Sequence, residues 1–206
     1  MLGTAHDRLV YGRRIDVLVR HLAELLPGNA TVLDVGSGDG LLARRIMDVR
    51  PDLDITGIDV LARPKAHLRV EIFDGVHIPF PSDSFDAVMM VDVLHHATRQ
   101  EELLREMARV ARRSVVIKDH LASGFLAHPT LRFMDWVGNR RHGVALPYSY
   151  WPPDRWERSF ALAGLHMVEQ RTRLGLYPWP ASLLFDRRLH FIAALEPARS
   201  ASPAVV

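Results

Sequence analysis

The chain has 206 residues, with 26 Lys and Arg against 24 Asp and Glu, for a formal net charge of +2. That balance is too even for a surface built around a polyphosphate, and the absence of cysteine excludes disulfides, thiolate metal sites and cysteine nucleophiles. A hydrophobic share of 48% fits one globular domain with a sizeable core. The start "MLGTAHDRLVYGRR" lacks the apolar stretch of a signal peptide, and no apolar run is long enough to span a bilayer, so a cytoplasmic protein is expected.

Ile15, Leu18, Val19, Leu22 and Leu26 recur at helical spacing until Pro27-Gly28 stops the run. "TVLDV" then reads as a buried strand, followed by the glycine loop "GSGDG" and a helix, Leu41 to Val49. "DITGID" is a second strand ending in Asp59, and "LRVEIFDG" a third ending in Asp74-Gly75. Between them "VLARPKAH" is short and holds Pro64, so the crossover helix expected there is truncated or absent. "FDAVMMVDVL" is a fourth strand with a nearly continuous apolar centre, as when both sheet faces are covered. Thr98 and Glu101 form a capping box for a helix to about Ala111, and "SVVIKDH" is a fifth strand. This alternation implies a doubly wound, mostly parallel sheet.

After His120 the texture changes to aromatics, His, Pro and Gly, predicting a helical insertion over 121–164 between strands five and six. Pro129 and Pro153 each suit a helix start, and Gly164 a stop. "LHMVEQRTR" and "LHFIAALE" read as the last two strands, joined by the stiff loop "LGLYPWPASLLFDRR". The tail from residue 199 to residue 206 reads as flexible.

In a doubly wound sheet, ligands bind beyond the carboxyl ends of the strands where strand order reverses. Gly36 and Gly38 can take positive φ and leave bare backbone before a helix N-terminus. Asp59, some 20 residues on, suits a ribose diol. Such a loop serves either a dinucleotide or a sulfonium cofactor. Three features favour the second. Leu41 stands where the dinucleotide fingerprint needs its third Gly or Ala, Asp34 would repel a pyrophosphate but suits an ammonium, and Asp74 can accept from an adenine amine.

"VLDVGSGDG", "GIDV", "FDG" and "IPFPSDSFDAVMMVDVLHH" together resemble the class I S-adenosylmethionine-dependent methyltransferases, in particular the small-molecule branch (type 11/12-like). The resemblance is close over about residues 30–120, and the last strand pair fits that family's closing reversal. It implies a Rossmann-like, seven-stranded sheet with an antiparallel last strand, spanning 1–198 as one domain. It also implies that S-adenosyl-L-methionine is the cofactor and S-adenosyl-L-homocysteine the product. Gly36, Ser37 and Gly38 would cradle the methionine portion and Asp34 its amino group. Asp59 would hold the ribose hydroxyls, with Val60 against the adenine, Asp74 and Gly75 at the adenine amine, and Asp92 near the methionine portion.

Methyl transfer needs alignment and, for a neutral oxygen or nitrogen, a base. The candidates are His120 first, then Asp119 and His95, with His96 beside it and a packing role expected for at least one of that pair. No metal is expected, since no compact H-x-x-x-H motif occurs. Trp136, His142, Tyr148, Tyr150, Tyr177 and Trp179 are candidates to line an acceptor pocket, with Trp151 as a further aromatic of that region. The expected acceptor is a small, aromatic or moderately apolar molecule. A nucleic acid is disfavoured by mixed charge and the missing N-P-P-[YF] signature, and no membrane partner is expected. A non-catalytic cofactor-binding partner subunit remains the alternative, with an RNA or protein methyltransferase behind it; the oligomeric state is open.

Overall fold

A computed structural model describes residues 2–139 and 148–198. In chain order the elements are α1 (Leu2–Leu25), β1 (Thr31–Val35), α2 (Leu41–Val49), β2 (Asp54–Asp59), β3 (Val70–Ile72) and β4 (Phe85–Val91). A single 3-10 turn (Leu94–His96) leads to α3 (Gln100–Val110) and β5 (Ala111–His120). Then come α4 (Ala127–Asn139), α5 (Pro153–Leu162), β6 (Leu165–Arg171), α6 (Ser182–Phe185) and β7 (His190–Pro197).

The seven strands form one sheet in the order β3-β2-β1-β4-β5-β7-β6. β1 pairs in parallel with both β2 and β4, so the chain fills one side of β1 and then returns to the other. That reversal opens a crevice beyond the carboxyl ends of β1 and β4. β7 runs antiparallel to both its neighbours, β5 and β6. The sheet is therefore the doubly wound, mostly parallel one expected, with α4 and α5 inserted between β5 and β6.

Two apolar layers cover the sheet. One packs Val17, Leu18 and Leu22 of α1 and Ile46 of α2 against Val32, Ile55 and Met89. The other packs Leu103 and Met107 of α3 and Trp156 and Phe160 of α5 against Leu33, Val88 and Ile117. Ala87 to Met90 are fully buried, with alternate residues in opposite layers. Covering both faces stabilises each large side chain by roughly 1.5–3 kcal/mol, which explains a continuous apolar run in place of alternation.

Four local expectations need correction. The first helix is much longer than the 15–26 periodicity implied. β3 shrinks to three residues, because Phe73 already turns inward to the core and Asp74 leaves the ladder to cap a turn. The capping box does not form: α3 starts at Gln100 with Arg99 as N-cap and no side-chain cap bond. The buried Gln100 amide anchors that end instead, donating to the Leu94 and Ser149 carbonyls. Finally, the loop before β7 contains the short helix α6. Between β2 and β3, where a truncated or absent crossover helix is expected, the described residues form none.

Candidate active site

Gly36, Gly38 and Gly40 all have positive φ, at 76°, 61° and 75°. The reasons differ. A Cβ on Gly36 would lie 2.4 Å from Val93 Cγ2, so the strand ends are packed too tightly for any side chain. At Gly38 a Cβ would meet nothing within 4 Å, so its bare backbone faces open space. Asp59 ties this loop to β2, accepting from the Gly38 N–H at 2.8 Å and the Leu61 N–H at 2.9 Å. Asp34 is buried beneath the loop, and burial together with the Asp59 charge pushes its carboxyl up to about 7. An ammonium placed there would restore its charge.

Two cavities meet at the loop. The first, of about 350 Å³, is bounded by Asp59, Val60, Phe73, Asp74, Gly75 and Val93, among others. Asp74 serves as a turn anchor: its Oδ1 accepts from the Val76 and His77 N–H groups and its Oδ2 lies 2.7 Å from His77 Nδ1. The His77 side-chain contact and these amides hold its carboxyl down to about 2. Gly75 takes φ of 85°, and a Cβ there would touch Val60.

The second cavity, of about 380 Å³, is reached over Asp34, Gly38 and Asp92 and is walled by His95, His96, His120, Met134 and Asp135. Asp92 takes an unusual φ of 57°, a region Asp tolerates better than most residues. Its carboxylate is held by Arg14 of α1 at 2.5 Å and by the Lys118 ammonium. Burial works against ionisation of Asp92, but the Lys118 and Arg14 charges keep its carboxyl well below the usual range. Lys118 is fully buried and its pKa is lowered by that burial, with Asp92 opposing. Its Nζ also lies 3.3 Å from His190 Nδ1.

The three histidines differ in environment. His95 sits in the 3-10 turn with Nδ1 2.7 Å from Asp119 and Nε2 3.3 Å from Asp135. Burial alone would lower it, but the two carboxylates raise it to about 10. Asp119, lowered by the same pairing against its own burial, also accepts from the Leu94 and His120 N–H groups. His96 is lowered, by partial burial first and then by its neighbour His95. His120 is buried at the end of β5, with Nδ1 3.4 Å from a carboxylate oxygen of each of Asp92 and Asp119 and no hydrogen-bond partner there. Its carbonyl accepts from Trp156 Nε1.

The aromatic candidates fall elsewhere. Tyr150 is buried and donates to Asp135 Oδ2 at 2.7 Å, behind the second cavity's wall. Tyr148 lies under the Arg132 guanidinium and 6.5 Å from the Tyr150 ring. Tyr177 packs beside His190 and Phe185, and Trp151 is core against Trp156. Trp136 is 48% exposed and Trp179 79% exposed. None of these lines either cavity. His142, with Arg140 and Arg141, lies outside the described residues. Sequence reasoning missed Arg14, Lys118, Asp135 and His190. Only Lys118 carried a signal, as a lysine inside the apolar run of a central strand.

The donor set fits an S-adenosyl group: a glycine whose missing Cβ opens onto the cavity, a buried acid short of a cation, and a carboxylate at the end of β2. Fold and loop together define a methyltransferase domain of the S-adenosylmethionine-dependent class. The chain belongs to the methyltransferase domain family, whose model matches residues 6–170. It is similar to the 27-O-demethylrifamycin SV methyltransferase of Amycolatopsis mediterranei (strain S699), with 33% identity over 110 residues, 46% of this chain and 40% of that protein. The matched part thus spans about two fifths of that relative's length. Among solved structures, a chain from the complex between the Haloferax volcanii Trm112 methyltransferase activator and its methyltransferase partner aligns with TM-score 0.67 at 18% identity, covering 95% of this chain and 96% of that one. The Burkholderia thailandensis 1,6-didemethyltoxoflavin-N1-methyltransferase, with its substrate and S-adenosylhomocysteine bound, aligns with TM-score 0.62 at 15% identity, covering 95% and 81%. At those identities the two structures establish the shared fold.

Proposed function

We propose that the protein transfers a methyl group from S-adenosylmethionine to an oxygen or nitrogen of a small, aromatic or moderately apolar molecule. One observation carries this reading: the glycine loop and the His95, His96 and His120 group line a single cavity of about 380 Å³. Donor and proton acceptor then face the same space. Ile15, Leu18, Leu42 and Met134 give that cavity an apolar wall. The similarity to a demethylrifamycin methyltransferase supports a small acceptor.

When bound, the cofactor supplies an electrophilic methyl group on a sulfonium. The chain's own residues do the rest. Asp59 and the Gly38 backbone position the ribose and methionine portion, and Asp34 pairs with the amino group. His120 keeps Nδ1 toward Asp92 and Asp119, leaving Nε2 to take the acceptor's proton. The two carboxylates then stabilise the imidazolium. The same proposal treats 1–198 as one catalytic unit, with 121–164 forming the acceptor side, acting in the cytoplasm. Among the described residues no helix is long and apolar enough to cross a membrane.

The test is calorimetry with S-adenosylhomocysteine, followed by transfer of labelled methyl into a metabolite extract. Binding that Asp59→Ala abolishes, with label recovered in a small molecule, is expected. Label recovered only in RNA or protein would overturn the acceptor class. Binding without any transfer would leave the chain a cofactor-holding partner subunit.

A further inference from the structure

Where the 3-10 turn meets α4, side chains of the larger cavity's wall bring several ligand atoms together. His95, His96 and Asp135 each offer one ligand atom, and the three atoms lie within 4.8 Å of one another. His95 Nε2 is 3.3 Å and His96 Nε2 3.8 Å from the same oxygen, Asp135 Oδ1. Bonds of about 2.0–2.1 Å at tetrahedral angles put ligand atoms roughly 3.3 Å apart, so these separations are near those of a filled site. We propose that His95, His96 and Asp135 bind a divalent transition-metal ion of the zinc type in the wall of the larger cavity.

Three further features support this assignment. First, the outer partners are in place. Asp119 holds His95 Nδ1 at 2.7 Å, and Tyr150 donates to Asp135 Oδ2 at 2.7 Å; the ion would replace the proton between His95 Nε2 and Asp135 Oδ1, 3.3 Å apart. A ligating His held by a carboxylate and a ligating carboxylate held by a hydroxyl are the usual second layer of such sites. Second, the alternative grouping of His95, Asp119 and His120 is less suitable, because Asp119 as a ligand would no longer orient His95. Third, all three ligands line the cavity, so a coordination position stays open to it. Two nitrogens, one carboxylate and an open position select a borderline cation over Mg²⁺ or Ca²⁺, which prefer all-oxygen sets. That an acceptor oxygen completes the coordination rests on the function proposed above. Metal binding itself does not, and the experiment below reads only binding.

Untagged, chelator-treated protein is titrated with Zn²⁺ by calorimetry, and with Co²⁺ while the visible d–d absorption is followed. Saturable binding of one ion is expected, with the intense Co²⁺ spectrum of a four-coordinate site. His96→Ala should weaken binding by at least 100-fold. Tyr150→Phe, which keeps every ligand, should weaken it by about 10–100-fold. His166→Ala, an exposed histidine on β6, should leave it unchanged. Asp135→Asn serves as the second ligand variant, with circular dichroism and cooperative urea unfolding as the check that each variant is folded. No saturable one-to-one binding by the folded wild type would overturn the site. So would equal loss in His166→Ala, or full affinity in folded His96→Ala and Asp135→Asn.

Discussion

Asp34→Asn isolates the electrostatics of the cofactor loop. Asp34 is buried 3% exposed, and burial together with the Asp59 charge lifts its carboxyl from 3.8 to about 7. A carboxyl raised in the folded state stabilises it fully below the unfolded value. The contribution is lost as pH climbs through the folded one. The window therefore runs from about pH 4 to about pH 7. A shift of roughly 3 units at about 1.4 kcal/mol each makes the loss on the order of 4 kcal/mol, an upper figure for a group beside a second acid. The assay is urea unfolding of the cofactor-free protein across that range, for wild type and Asp34→Asn. Subtracting one profile from the other removes the groups common to both. Wild type should lose stability relative to the variant as pH rises, by a few kcal/mol in total. With S-adenosylhomocysteine present the trend should weaken in wild type, because an ammonium beside Asp34 favours the charged acid. Parallel profiles without ligand would refute the reasoning.

Lys118→Met removes one of the two cations on Asp92 and should cost about 3–5 kcal/mol by chemical unfolding, nearer the low end because Arg14 remains at 2.5 Å; adding Asp92→Leu should recover part of it. Gly36→Ala should destabilise by roughly 1–3 kcal/mol in the same assay, since φ of 76° and Val93 Cγ2 at 2.4 Å both oppose a Cβ. His120→Ala should lower methyl transfer by about 10²–10⁴-fold while S-adenosylhomocysteine affinity holds in calorimetry. Unchanged turnover would remove His120 as the base.

The strands and the cofactor loop were legible because local rules govern them. β4, buried on both faces, reads as an apolar run, and β1, β2 and β4 each end at or just before a glycine or an acid of the cofactor loop's surroundings, Gly36, Asp59 and Asp92. The second cavity was much less legible, because its walls come from distant parts of the chain. Arg14 reaches Asp92 across 78 positions, and Asp135 reaches His95 across 40. Nothing in the local pattern of α1 or α4 marks those residues. The aromatic candidates show a related limit. Composition made Trp136, Tyr148 and Trp179 candidates for an acceptor pocket, whereas only the packing shows that they line neither of the two cavities. The capping box failed for a different reason: the 3-10 turn before α3 made Gln100, not Thr98, the side chain that anchors the helix start.

Gly36, Gly38, Val91, Asp92 and His96 belong to the lining of both cavities. The two cavities therefore share a boundary made of the same few residues. An occupant of one cavity becomes part of the boundary of the other, so the second ligand to arrive meets a wall that the first has helped to build. Any coupling between two such occupants acts by the same factor in each direction.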